Sequence, residues 1–171
     1  MKKLLKSVLL ASVVMFASFV NAQSSDVVDV AISSKDHTTL VAAVKAADLV
    51  ATLKGKGPFT IFAPSNSAFD KLPKGTVETL LKPENKVALA NLLTYHVVAG
   101  NLKASDVLEA IKAGKGKAVV KTIQGESLTA SLDNGKVILT DAKGGKATVT
   151  TTDLTATNGV IHVIDSVVMP K

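Results

Sequence analysis

The sequence contains no cysteine, no arginine and no tryptophan, and it has a single tyrosine in 171 residues. Without cysteine there is no disulfide framework, thiolate nucleophile or iron–sulfur cluster, and a zinc site would need histidines and carboxylates alone. Without arginine, the planar forks that recognise phosphate and guanine bidentately are missing, and all 20 basic residues are lysines. Aromatic residues make up only 4% of the chain. The closest grouping of lysines, Lys112, Lys115, Lys117 and Lys121, therefore lacks the stacking platforms that single-stranded nucleic acid needs, and it reads as a solvated loop and strand edge. The longest apolar stretch, Ser7 to Val20, is 14 residues, short of the roughly 20 that span a bilayer. No nucleic-acid partner and no stable membrane insertion are expected.

That apolar stretch follows Lys2, Lys3 and Lys6 and precedes Val20-Asn21-Ala22, with small residues where a signal peptidase requires them. Residues 1–22 thus read as a cleaved secretory signal with no lipid-anchoring cysteine, and residues 23–171 as one secreted or periplasmic domain. Removing the signal lowers the formal charge from +6 to +3, with 17 lysines against 14 acidic residues. The mature surface is mildly basic, and 149 residues suffice for one hydrophobic core.

Periodicity predicts helices first. Ser24, Ser25 and Asp26 are N-cap candidates for a short helix carrying Val27, Val28, Ala31 and Ile32, and Leu40, Val41, Val44, Ala47 and Leu53 recur at helical spacing up to Gly55. Phe59 to Ala63 alternates as a strand, and Pro64 stops it. Short helices follow around Ala68-Phe69, from Thr76 to Leu81, from Val87 to Leu93, and from a Ser105-Asp106 cap to Ile111. Tyr95 to Val98 reads as a strand. Beyond Gly114 the pattern is of strands, 119–123, 127–132, 137–140, 147–152 and 160–168, with Asn134-Gly135 a strong hairpin turn. Helices followed by hairpin-linked strands imply an α+β domain with a mostly antiparallel sheet or sandwich. The Thr-rich run 148–152 is explained by β-propensity.

The catalytic templates fail. Gly125-Glu126-Ser127-Leu128-Thr129 lacks the final glycine of a nucleophile elbow, Gly114-Lys115-Gly116-Lys117 lacks the spacing of a phosphate loop, and no His-Glu-x-x-His occurs. His37, His96 and His162 lie 59 and 66 residues apart, so no metal site is expected. His37 reads as a helix-start residue, and His96 and His162 as half-buried strand histidines holding backbone carbonyls. No cofactor is implied.

Three ordered blocks carry a resemblance. They are Gly57-Pro58-Phe59-Thr60-Ile61-Phe62-Ala63-Pro64-Ser65-Asn66-Ser67-Ala68-Phe69, then Leu92-Leu93-Thr94-Tyr95-His96-Val97-Val98, and Ala156-Thr157-Asn158-Gly159-Val160-Ile161-His162-Val163-Ile164-Asp165 with Val167 to Pro170 after it. Together with Thr122 to Glu126 between them, they resemble the fasciclin family, also called the FAS1 domain. The resemblance implies a wedge-shaped antiparallel β-sandwich with a cluster of N-terminal helices. Phe59, Ile61, Phe62 and Phe69 would anchor helices on the sheet, Pro64 would end the first strand, and Asn158-Gly159 with His162 would shape the closing strand. Members of the family are mainly extracellular adhesion and interaction modules. In animal relatives a Tyr-His pair and an Asp-Ile dipeptide before Ala-Thr-Asn-Gly are linked to integrin binding, which points here to Tyr95, His96, Asp153 and Leu154. The implied function is a secreted, non-enzymatic module binding a surface protein or polysaccharide. The alternative is an envelope module that takes a small molecule or lipid between helices and sheet.

Overall fold

The computed structural model describes residues 25–171, and the expected signal at 1–22 lies outside them. Asp26 begins the first helix, α1 (Val27–Ser33), by accepting the amides of Val28 and Asp29, both at 2.9 Å, while the Asp29 carboxylate accepts the Asp26 amide. Lys54 closes this cap from outside, with Nζ 2.9 Å from Asp26 and 2.7 Å from Asp29. Burial raises the Asp26 pKa, but the Lys54 contact and the two amides outweigh it and hold the carboxyl below its usual range.

After a 3₁₀ turn at Lys35–His37, the predicted long helix is two. α2 (Thr38–Ala46) stops because Asp48 adopts φ +60°, and the amides of Asp48 and Leu49 turn back to the carbonyls of Lys45 and Val44. This double bond to the last turn is a Schellman ending with aspartate in the place usually held by glycine, and α3 (Val50–Leu53) starts anew. The remaining helices are α4 (Asn66–Asp70), α5 (Thr76–Leu80), α6 (Lys86–Tyr95) and α7 (Ala104–Ala113). Lys103, rather than Ser105 or Asp106, is the N-cap of α7. Asp106 stands one turn in and accepts the Lys103 amide at 2.9 Å.

The strands are β1 (Phe59–Pro64), β2 (Val97–Ala99), β3 (Lys117–Lys121), β4 (Ser127–Asp133), β5 (Lys136–Thr140), β6 (Lys146–Ala156) and β7 (Gly159–Ile164), in spatial order β2-β1-β7-β6-β5-β4-β3. All pairs are antiparallel except β1 with β7, which run parallel from Phe59↔Gly159 to Pro64↔Ile164. The parallel pair departs from the antiparallel expectation because β1 and β7 are joined by most of the domain rather than by a hairpin. A bridge between Val98 and Thr122 and a 2.8 Å bond from the Ile123 amide to the Val97 carbonyl bring the two ends together, so the sheet is nearly a barrel. The β4–β5 hairpin turns at Asn134 and Gly135, both with positive φ, as the Asn-Gly signal predicts.

β6 is longer than expected and serves both halves of the sheet. It pairs with β5 up to Thr148, then with β7, with register shifts between Val149 and Thr151 and between Thr151 and Leu154. β7 is shorter, ending at Ile164, although Val168 remains buried.

Two cores result from the alternation of β1. Ile61 and Ala63 face the helices, with Leu40, Val44, Leu53, Leu93 and Ile161. Phe62 points the other way, into the core between the strand layers with Tyr95, Leu128, Leu139 and Ile164. Phe59, Ile61 and Phe69 thus face the N-terminal helices, whereas period two sends Phe62 to the opposite face, where it clusters with Val107 and Ile111 of α7 as well as with the strands.

The β1–β7 pair starts at a point with no room for a side chain. A Cβ on Gly159 would lie 2.1 Å from the Phe59 carbonyl oxygen, and one on Gly57 would lie 2.1 Å from the Asn158 carbonyl oxygen. Gly159→Ala is expected to lower the urea-unfolding free energy by more than about 1 kcal/mol, and an unchanged midpoint would contradict the packing described.

Candidate functional site

Asn158 occupies the turn between β6 and β7, and its whole amide is used. Oδ1 accepts the Val27 amide at 3.0 Å, Nδ2 donates to the carbonyls of Leu53 at 2.7 Å and Gly55 at 2.9 Å, and its own carbonyl accepts the Phe59 amide at 2.9 Å. One residue therefore joins α1, the end of α3, β1 and β7.

Tyr95 and His96 stand at the end of α6 rather than on a strand. His96 caps the helix and the strand starts only at Val97, because Leu89, Leu92 and Leu93 continue the helical apolar face up to Tyr95. Both side chains are buried. The Tyr95 hydroxyl donates to the Ser127 carbonyl at 3.2 Å and accepts the Ala142 amide at 3.1 Å. In His96, Nδ1 donates to the Leu92 carbonyl at 2.8 Å, and Nε2 accepts the Val168 amide at 3.3 Å, which fixes the neutral Nδ1–H tautomer. Both ring nitrogens are engaged by main chain, so His96 activates no hydroxyl nucleophile. Burial pushes its pKa down to about 4.

Asp153 and Leu154 lie on the second irregularity of β6, where Asp153 takes φ +59°. The Asp153 amide donates to Nδ1 of His162 at 3.3 Å, and Nε2 of His162 donates to the Leu102 carbonyl at 2.7 Å. The Asp153 carboxylate accepts the amide of Ala104, the first residue of α7, at 2.9 Å. Thr60 completes this corner, donating to the Gly100 carbonyl at 2.7 Å and accepting the Leu102 amide at 2.8 Å. The His162 ring stacks on Phe62 with centroids 5.7 Å apart. Asp153 is exposed and Leu154 half-buried, so this pair reaches the surface while the Tyr-His pair does not. The two pairs have different surroundings: Tyr95 meets β4 and the 141–145 turn, and Asp153 meets α7 and β7.

Sequence reading missed the role of His37. It starts α2 as expected, but it is only 5% exposed; Nδ1 is 2.7 Å from the Ser34 hydroxyl, and Nε2, itself shut off from solvent, lies by the Ala63 backbone without a hydrogen bond of good geometry. Burial lowers its pKa, against smaller opposing effects of the Asp36 carboxylate and the Ala63 backbone. The ring borders a cavity of about 280 Å³ with Val30, Ala31, Ser34, Leu154 and Ile161. That cavity adjoins a wider groove of about 600 Å³, also bordered by His37 and Leu154, which reaches Asp36, Ser65, Ser67, Asp70 and Thr150. The Ser34-x-x-His37 spacing was the available signal; only the fold reveals that the ring turns inward.

Between helices and sheet, an apolar cavity bordered by Val28, Leu40, Val44, Leu53 and Leu93 measures only about 60 Å³. Among the described residues no group of three His, Asp or Glu side chains could hold a metal ion, and no helix is long and apolar enough to cross a membrane.

A family model described as the fasciclin domain matches residues 35–170. Protein sll1483 of Synechocystis is 51% identical over 144 residues, covering 84% of this chain and 73% of that protein. Immunogenic protein MPB70 of Mycobacterium bovis is 37% identical over 157 residues, covering 88% and 72%. A solved domain pair from the insect cell adhesion molecule Fasciclin I superposes with a TM-score of 0.75 at 18% identity, over 85% of this chain and 51% of that one, which shows the shared fold.

The buried histidines set a pH dependence. The folded His96 pKa of about 4 lies below the roughly 6.5 of an unfolded histidine, so its contribution is complete above pH 6.5 and is lost as the pH falls toward 4. His37 acts in the same direction. Between pH 7.5 and 4.5 the unfolding free energy should fall by about 2.5 kcal/mol from His96 alone, and His96→Gln should flatten the profile. Equal stabilities at the two pH values would contradict the buried, neutral assignment.

Proposed function

The chain belongs to the fasciclin family, and from that premise we propose that it is a non-enzymatic interaction module acting outside the cytoplasm, where it binds a surface protein or polysaccharide. The observation that carries this reading is the disposition of the polar motif residues. Tyr95, His96, Asn158 and His162 all spend their hydrogen-bonding capacity on main-chain groups, which suits scaffolding and leaves no acid, base or nucleophile poised for chemistry. Exposed side chains gather instead on the irregular part of β6, where Thr150, Thr151, Thr152, Asp153 and Thr155 surround half-buried Leu154. The double register shift and the tether to α7 hold this segment in one shape, as a recognition surface requires.

In this reading Asp153 and Leu154 touch the partner, and Tyr95 and His96 position the backbone beneath. Export is supported by the signal-like segment 1–22. The fold it shares with an insect cell adhesion molecule is compatible with adhesion. A lipid held in the apolar core between helices and sheet is disfavoured, since the cavity there, about 60 Å³, is far below the roughly 300 Å³ at which ligand pockets begin, and the larger cavity of about 280 Å³ has Ser33, Ser34 and His37 in its wall.

The test is capture of envelope proteins and extracellular polysaccharides by the purified protein and its variants. Asp153→Asn keeps an acceptor for the Ala104 amide and tolerates positive φ, so it should fold normally; combined with Leu154→Ala it should reduce capture at least about fivefold. Tyr95→Phe should lower stability by about 1–2 kcal/mol and leave capture by the folded protein unchanged. Loss of capture in Tyr95→Phe alone would place the contact elsewhere.

A further inference from the structure

We infer that the outer face of strands β3 to β6 binds an acidic polysaccharide, with Lys117, Lys121, Lys136 and Lys146 on its anionic groups and the hydroxyls of Thr129 and Thr140 on its sugars. This gives the protein a second contact surface, which shares no residue with the Asp153–Leu154 ridge and stands or falls separately from it.

Period two decides which side chains reach this face. Ala118, Leu128, Ala130, Val137, Leu139 and Ala147 point into the core. The registers therefore line up the alternate residues outside in two rows across the strands, Lys117–Ser131–Ile138–Thr148 and Val119–Thr129–Thr140–Lys146. At the margins Lys121 lies opposite Ser127, and Lys136 opposite Asp133. Hydroxyls from three strands thus form one array. Those of Ser127, Thr129, Ser131, Thr140 and Thr148 bond no other group among the described residues, and each both donates and accepts, as sugar hydroxyls do.

The basic charge of the protein is concentrated here. Residues 112–148 contain seven lysines against Glu126, Asp133 and Asp141, a net of +4, whereas residues 23–171 as a whole carry +3. Asp141 is buried and accepts the amides of Lys143, Gly145 and Met169. Glu126 lies in the turn between β3 and β4, so Asp133 is the one carboxylate on the registered face. The ion pairs among the described residues use Lys54, Lys71, Lys82 and Lys86, and the four lysines of this face are exposed and outside them. A positive surface without internal neutralisation attracts a negative partner.

The layout selects a polymer. Lys117 and Lys121 are four residues apart on one strand, about 13 Å, and Lys146 stands three strands away from β3, about 14 Å. Ammonium groups spread over such an area match the repeated charges of a chain better than one small anion. The rest of the face selects among polyanions. It has no aromatic side chain and no arginine, hence neither stacking platforms nor planar forks for nucleic acid. Val119, 71% exposed, is its one strongly exposed apolar residue, too little to enter a membrane. A single valine among hydroxyls suits the C–H face of a sugar ring.

The experiment titrates the purified protein at low salt with polygalacturonate, dextran sulfate, neutral dextran, a single-stranded oligodeoxynucleotide and phosphatidylglycerol vesicles. The expected result is that polygalacturonate or dextran sulfate binds more tightly than the other three probes. Lys117→Gln/Lys121→Gln/Lys136→Gln/Lys146→Gln should weaken that binding at least tenfold. Lys35→Gln/Lys45→Gln/Lys56→Gln/Lys74→Gln removes the same charge at exposed sites elsewhere and should change it less than threefold. Thr129→Val/Thr140→Val keeps every charge and the β-branched shape, and should weaken binding at least threefold with the unfolding midpoint unchanged. Failure of both acidic polysaccharides to bind overturns the proposal. So does equal or tighter binding of dextran, oligonucleotide or vesicles, equal loss in the two lysine variants, or binding untouched by the threonine variant. Polysaccharide binding that survives the four face lysine substitutions but disappears in Asp153→Asn/Leu154→Ala overturns it too and places the glycan on the ridge. Capture of envelope proteins by a protein that binds no polysaccharide overturns this inference and leaves the interaction-module reading standing.

Discussion

The fold depends on one amide side chain. Asn158 lies at the crossing of four segments that are distant in sequence, and its two donors and one acceptor meet three main-chain groups that would otherwise be orphaned at the end of α3 and the start of α1. The parallel β1–β7 pair, which joins the two ends of the domain, begins beside it, where Gly57 and Gly159 allow main chains to touch. A parallel pairing closed over most of the chain carries a large loop-closure cost. The Asn158 amide offsets that cost locally, and the N-terminal helices then cover one face of β1 while the strand layers cover the other.

The same logic runs through the other polar motif residues. His96 and His162 each hold two main-chain partners, and Tyr95 bridges a strand and a turn. In a domain with no disulfide, these buried polar ties fix how the layers meet, a task that non-directional apolar packing performs poorly. What they support is the irregular ridge of β6, which shares Leu154 with the cleft at His37.

Much of this was legible in the sequence. Alternation placed β1 and the late strands, Asn134-Gly135 gave the hairpin, and the ordered motifs gave the family. The parts that were not legible share a physical cause, tertiary context overriding local preference. Tyr95-His96 has strand propensity, yet the leucines before it carry α6 through that point. Asp48 ends a helix that apolar spacing would continue, because left-handed geometry at aspartate leaves no mark in the pattern. The stretch of β6 that carries Asp153 and Leu154 lies beyond the strand end expected at Thr152, since register shifts are set by the neighbouring β7. His37 resembled any helix-start histidine, and its ring turns inward beside Ala63 and Leu154, which are far away in sequence.

The account stands on Asn158 acting as a donor and acceptor together, and Asn158→Asp tests this with no change of shape. Aspartate would direct oxygen rather than an N–H at the carbonyls of Leu53 and Gly55, which lie 2.7 and 2.9 Å from the amide nitrogen. The urea-unfolding free energy of this variant at pH 7 should be at least about 3 kcal/mol below that of the parent protein, whereas a value within about 0.5 kcal/mol of the parent would contradict the account.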